Sequence, residues 1–342
     1  PDLDRLDQED ALVTGRVVPV HPSVGGMKPM KLREAVANAL RRSRPITEVV
    51  PADILDRLDL VGRDQSIATI HFPDDHAEAG RARERLIFDE FFRIQVALAM
   101  RKQRQGREAK GTTHAVDGPI VDQFLGAFPY RLTGAQERVI EEIRVDLAGH
   151  HPMHRLLQGE VGSGKTVVAL ATLLVAVQGG YQGAIMAPTE VLAEQHYLST
   201  VDALESAGLA PIGGPGASGT ANLFARDGDP DVRVALLTAN RAITNFSGSA
   251  DRAAVNGWIA DGVVDIVIGT HALIQEGVHF GRLGIAVVDE QHRFGVHQRV
   301  MLRDKASDHD PDLLIMTATP IPRTLSMTLY GDLDVSVLDE LP

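Results

Sequence analysis

Eight consecutive residues, Gly159, Glu160, Val161, Gly162, Ser163, Gly164, Lys165 and Thr166, follow the order Gly-x-x-x-x-Gly-Lys-Thr. That spacing suits a polyphosphate. The glycines let successive backbone N–H groups curl around phosphate oxygens without Cβ atoms in the way. Lys165 would reach the β- and γ-phosphates, and the Thr166 hydroxyl would face a Mg²⁺ ion. The stretch follows the apolar "RLLQ" and opens "TVVALATLLVAV", so the phosphates would also meet the positive end of a helix. The pattern arises by chance in roughly one chain in a hundred of this length, and the strand–loop–helix setting makes coincidence rarer still.

Hydrolysis at such a site needs an acid that holds the metal on the side away from the lysine. "GIAVVDEQHRFGV" (284–296) ends an apolar run on Asp289 and Glu290. Asp289 is placed to hold the metal through its waters, and Glu290 to orient and deprotonate the attacking water. An Asp-Glu pair alone is common on surfaces; beside a phosphate loop it becomes informative. Upstream, "FPYRLTGAQERVI" (128–140) puts Gln136 one turn after Thr133. Gln136 could offer its amide to the exocyclic amine and N7 of adenine, with Tyr130 stacked on the base. A plain Thr-capped helix is the other reading.

The elements that must position these groups show in the texture of the chain. After about residue 119, short apolar runs alternate with helical patterns: "HRLLQG", "GAIMAPT", "VRVALLTA", "VDIVIGT", "GIAVVDE" and "DLLIMTAT". Continuous apolar runs with helices between them predict strands of a parallel sheet buried on both faces. Ligands sit at the carboxyl ends of such strands, where each polar cluster here falls. Before residue 119 the pattern is mainly helical, with "KPMKLREAVANALRR", "PADILDRLDLV" and a long helix over about 75–105 that places Leu86, Phe88, Phe91, Phe92, Val96 and Leu98 at near-helical spacing. One strand is expected at 11–20, and "GTTHAVDGP" (111–119) reads as a polar linker.

Composition limits the alternatives. The 342 residues are 44% hydrophobic with no cysteine, which excludes disulfides and cysteine-based metal sites and fits a cytoplasmic protein. The longest apolar run, 167–177, is too short to span a bilayer. A net charge of −12 argues against a uniformly basic nucleic-acid coat. Two stretches are nonetheless locally basic: six Lys/Arg against one acid over 28–44, and nine against four over 81–110. The histidines of "GHHPMH" read as a loop, and Trp258 as a partly buried helix residue. The chain begins with Pro1 and stops abruptly at "LDELP", which suggests a piece of something longer.

"APTEVLAEQH" (187–196), "GTHALI" (269–274), "DEQH" and "MTATPIPRT" (316–324) resemble motifs Ia, Ib, II and III of superfamily 2 helicases. With the phosphate loop and Gln136, six motifs occur in family order over about 128–342. "LLQGEVGSGKTVVA", "DEQHRFGVHQR" and "MTATPIPRTLSMTLYGDLDVSVLDELP" look most like the bacterial branched-DNA helicases of the RecG family. The resemblance implies a RecA-like P-loop lobe, α/β with a parallel sheet and flanking helices, at 119–342. A helical linker region would occupy 21–118, after a residual strand of a wedge-type β-barrel at 1–20.

It further implies ATP and Mg²⁺ as cofactors and an ATP-driven double-stranded-DNA translocase that remodels stalled forks and Holliday junctions in recombination and repair. The expected partner is branched duplex DNA, with single-stranded-DNA-binding protein as a further candidate, and the expected state is a monomer away from membranes. Pro188, Thr189, Gly269, Thr270 and His271 map to DNA-backbone contacts, and Thr317, Thr319 and His292 to the link between hydrolysis and movement. The second lobe and its arginine finger are not expected within these residues, so the chain alone should bind nucleotide weakly and turn it over slowly. The transcription–repair coupling translocase shares "TATPIPRT" and "RFGV" but usually has an aromatic at Ser163 and reads Asp-Glu-Glu-Gln for "DEQH". A nucleotide kinase, a GTPase or a P-loop module without catalysis are the readings from other classes.

Overall fold

A computed structural model describes residues 17–18, 28–108, 111–211, 231–270, 273, 278–289, 309–318 and 333–342. The chain divides into two compact units, Pro1–Leu98 and Ala99–Pro342. The strand expected at 11–20 lies almost wholly outside the described residues. Among the described residues no helix is long and apolar enough to cross a membrane.

The first unit holds α1 (Pro29–Ser43), α2 (Ala52–Arg57), α3 (Arg63–His71) and most of α4 (His76–Glu108). Of the residues spaced helically along α4, Leu86, Phe88, Phe92 and Leu98 are half-buried. Phe91 is 54% exposed and Val96 40%, whereas Arg85 is fully buried beside buried Asp89. Arg85 pairs with Asp89 on the next turn and donates to Glu48 at 2.7 Å. Glu48 also accepts the backbone N–H groups of Val49, Val50 and Arg63 at 2.7–3.0 Å. Burial works against the Glu48 carboxylate, but the N–H groups of Val50, Arg63 and Val49, with Arg85, hold it below its ordinary range. One of the nine basic residues of the 81–110 stretch is therefore an internal counter-ion rather than a surface charge.

In the second unit, α5 (Pro119–Gly126) and α6 (Gly134–Leu147) lead into β1 (His154–Gly159), α7 (Lys165–Gln178), β2 (Gln182–Met186), α8 (Glu190–Ser206), β3 (Val234–Leu237), β4 (Ala242–Thr244), β5 (Gly248–Ser249), α9 (Arg252–Ala260), β6 (Ile266–Gly269), β7 (Leu283–Asp289), β8 (Asp312–Thr317) and β9 (Asp334–Leu338). They build one sheet in the order β5-β4-β3-β6-β2-β7-β8-β1-β9. The six expected strands are all present and mutually parallel. Successive residues alternate between two cores, for example Leu157, Ile185 and Val287 on one face and Leu156, Ala184 and Val288 on the other, as the two-residue period of a strand requires. Helix α7, apolar around its circumference and buried from Val168 to Ala176, lies against β2 and β7 beneath α5 and α6.

Three strands fall outside the sequence expectation. β4 and β5 form an antiparallel edge hairpin of three and two residues, too short to leave a periodic signal. Beside them Asn245 substitutes for backbone, accepting from Val234 N–H and donating to Val232 C=O. β9 is the other edge, with Val337 41% exposed. It is tied to β1 and α6 by Arg155, which donates to Ser336, Glu142 and Asp146.

Within 111–118, expected as a polar linker, Thr112 and His114 are buried while Thr113, Ala115 and Asp117 are exposed. Gly111 bridges Asp310, and His114, buried against Tyr181, lies 2.8 Å from the Asp312 carboxylate. Asp312 also accepts from Met153 N–H. Trp258 sits half-buried on α9 against Phe246.

Candidate functional site

The phosphate loop turns at two glycines. Gly162 has φ +89°, and Gly164, with φ +82° and ψ +25°, is the left-handed residue that starts α7. Gly159 must lack a side chain, because a Cβ there would lie 3.0 Å from Leu338 Cβ and closer still to Ser163 Oγ. Helix α7 has no side-chain cap and no acid in its first turn, so its leading N–H groups and the positive end of its dipole are directed at the loop. Lys165 opens that helix and bends back to donate to the carbonyls of Gly159 and Glu160 at 2.9 Å each. Thr166 follows it, half-buried, while Glu160 and Val161 face solvent.

Gln136 stands behind the loop, 2% exposed. Its Oε1 accepts from Thr133 N–H at 3.0 Å, closing a capping box on α6, and its Nε2 donates to Ser163 C=O at 2.9 Å. One end of the amide thus closes the cap of α6 while the other braces the loop at Ser163. Tyr130 is 52% exposed and tilted against Phe128, with a free ring face of the kind a base could stack on. Glu340, beyond β9, accepts from Ala135 N–H at the start of the same helix.

Asp289 is the last residue of β7, which is buried along its whole length. Strand register places it relative to the loop: Asp289 pairs with Met316 of β8, Met316 with Leu157 of β1, and Thr317 with Gln158. The acid and the start of the loop therefore leave the sheet at the same rim, two strand spacings apart, roughly 10 Å. Thr317, buried, occupies the strand between them. One carboxylate oxygen of Asp289, Oδ2, lies 2.6 Å from His196 Nε2 of α8. Oδ1 carries no hydrogen bond among the described residues.

The other expected residues line the next two strand ends of that rim. Pro188 and Thr189 follow β2, with Thr189 capping α8 through Leu192 N–H. Gly269 ends β6, pressed so close to Leu237 C=O that no Cβ fits, and Thr270 follows it. Met186 pairs with both Gly269 and Val288, so the five strands β6, β2, β7, β8 and β1 deliver their candidate residues to one edge. Glu290, His271, His292 and Thr319 lie outside the described residues. His196 was not singled out from the sequence. It closes the quoted "APTEVLAEQH", but nothing local pairs it with an acid 93 residues away.

A DEAD/DEAH box helicase family model matches residues 133–328. The ATP-dependent DNA helicase RecG of Synechocystis sp. is 41% identical over 346 residues, covering 100% of this chain and 38% of that protein. The RecG of Streptococcus pneumoniae is 40% identical over 349 residues, with 99% and 47% coverage. The chain thus spans less than half the length of these relatives. Among solved structures, RecG bound to a three-way DNA junction matches with a TM-score of 0.67 and 34% identity, over 96% of this chain and 40% of that one. The family match extends over more than half of the residues and takes in the phosphate loop, Asp289 and the strand ends between them, so the chain belongs to the DEAD/DEAH box helicases.

Proposed function

We propose that this chain is the ATP-binding part of an ATP-dependent double-stranded-DNA translocase that remodels branched DNA, such as stalled forks and Holliday junctions, in recombination and repair. Residues 119–342 serve as its first RecA-like lobe, and 21–118 as a helical linker region. The observation that carries this is the alignment of the phosphate loop, Thr317 and Asp289 on three neighbouring strand ends, with Pro188, Thr189, Gly269 and Thr270 on the next two. The similarity to the junction-bound RecG structure supports the choice of DNA.

On this reading the loop N–H groups and Lys165 hold the β- and γ-phosphates, the lysine ammonium leaving the carbonyls of Gly159 and Glu160 for phosphate oxygens. Tyr130 stacks on the adenine and Gln136 offers its amide to the base, its contact with Ser163 C=O linking base recognition to the loop. Thr166 would give Mg²⁺ a hydroxyl oxygen and Asp289 would hold it through the waters it keeps, and Mg²⁺ would neutralise charge on the triphosphate. Glu290 orients and deprotonates the attacking water. Thr317, Thr319 and His292 pass the result to the strand ends that contact the DNA backbone, including His271.

The test is ATP turnover by the intact protein without DNA, with linear duplex and with a model fork. Stimulation by the fork above the duplex is expected, and Lys165→Ala should abolish turnover while DNA binding persists. Indifference to DNA, or turnover surviving Lys165→Ala, overturns the proposal.

A further inference from the structure

The His196–Asp289 contact is built from two distant elements. Asp289 ends a central strand, and His196 lies two turns into α8, the helix that Thr189 caps. Both side chains are largely buried, 13% and 12% exposed, at a separation of 2.6 Å. An ionised carboxylate only accepts hydrogen bonds, so the imidazole must donate through Nε2–H. Such a charge-assisted bond is short and directional. It occupies Oδ2, sets the rotamer of the carboxylate, and leaves Oδ1 without a hydrogen bond among the described residues.

Helix α8 is itself anchored at this rim. Glu190 accepts from Asn240 at 3.0 Å, and Glu194 pairs with Arg241 at 3.3 Å. His196 is thus carried on a helix held at its N-terminal turns to the segment after β3. It does not depend on a mobile surface rotamer.

We infer that His196 is a positioning residue for Asp289: its Nε2–H holds one carboxylate oxygen so that the other faces the nucleotide-bound Mg²⁺. This rests on the reading of Asp289 as the acid that holds the metal. Outer-shell residues that orient a metal site typically alter metal affinity 10- to 100-fold when removed.

The experiment titrates a fluorescent ATP analogue into the intact protein, once with Mg²⁺ and once with EDTA. The ratio of the two Kd values is the gain that Mg²⁺ confers. His196→Phe keeps a ring for packing but cannot donate; His196→Gln keeps an N–H donor; Asp289→Asn removes the charge. The phenylalanine variant should lose about tenfold of the Mg²⁺ gain, with its EDTA affinity unchanged. The glutamine variant should keep most of the gain, and Asp289→Asn should lose it. A gain retained in His196→Phe but lost in Asp289→Asn overturns the role of His196 alone. A gain retained in Asp289→Asn overturns the metal reading beneath it. Equal losses with Mg²⁺ and EDTA, or equal losses in the Phe and Gln variants, mark His196 as merely structural and also overturn the inference. Thermal midpoints of each variant establish that all are folded.

Discussion

Replacing Gly164 with alanine should damage the phosphate loop in two separable ways. Left-handed backbone at φ +82° costs an L-residue about 1–2 kcal/mol. The added Cβ would also strike Gln136 Nε2. If that amide is displaced from Ser163 C=O, a buried donor loses its partner, worth about 1–3 kcal/mol more. The expected loss is therefore about 2–5 kcal/mol. Gly162 provides the control: its φ is +89° but nothing lies within 4 Å of its Cβ position, so Gly162→Ala should carry the backbone cost alone, about 1–2 kcal/mol. Urea unfolding followed by Trp258, the single tryptophan of the chain, reports on the unit that contains the loop. In a Gln136→Ala background Gly164→Ala should lose its excess cost, giving a coupling energy of about 1–3 kcal/mol. Equal costs for the two glycines, or a Gly164→Ala cost undiminished by Gln136→Ala, would refute the brace.

Three other outcomes follow from groups inside the two units. Burial pushes the Asp265 carboxyl from its ordinary 3.8 up to about 6, against its bond from Arg233 N–H. A raised carboxyl contributes stability that is complete below about pH 4 and lost as pH rises through about 6. Asp265→Asn, which keeps an acceptor for Arg233, should therefore gain about 2 kcal/mol on wild type between pH 4 and pH 7.5 in urea titrations, and a pH-independent difference would contradict this. His114→Ala leaves the buried Asp312 carboxyl without its ring partner and should cost about 3 kcal/mol. Burial also raises the Asp312 pKa against the pull of His114, so Asp312→Asn, a mimic of the protonated acid, should cost less than His114→Ala; the reverse order in urea midpoints would refute that. Arg85→Ala strands buried Asp89 and part-buried Glu48 at about 3–5 kcal/mol, which should appear as faster amide exchange over residues 82–96, and unchanged protection would place the stability of that unit elsewhere.

Local chemistry was legible from the residues alone. The phosphate loop works through consecutive backbone groups, so its eight-residue spacing carries its geometry, and Gly162 and Gly164 adopt the positive φ that the pattern requires. The six central strands were legible because burial on both faces demands continuous apolar runs. Where environment outranks local pattern, the residues misled or were silent. The helical spacing on α4 grouped Phe91 and Val96 with four residues that are half-buried, yet these two are exposed and Arg85 is buried in an ion cluster, since a charge can be buried wherever its partners converge. His114 read as part of a polar linker, yet it is buried because Asp312, far along the chain, supplies its partner.

The amino-acid sequence by itself determined the nucleotide-binding motif, the parallel class of the sheet and the family resemblance, all of which rest on short-range spacing and apolar runs. Strand order was decided only in three dimensions. It sets β8 between the phosphate loop and Asp289, places β2 and β6 beside them, and brings His196 to an acid 93 positions away. The reason is physical: periodicity reports how a segment meets its immediate surroundings, whereas neighbours in the sheet are chosen by crossover connections and packing that involve the whole chain at once.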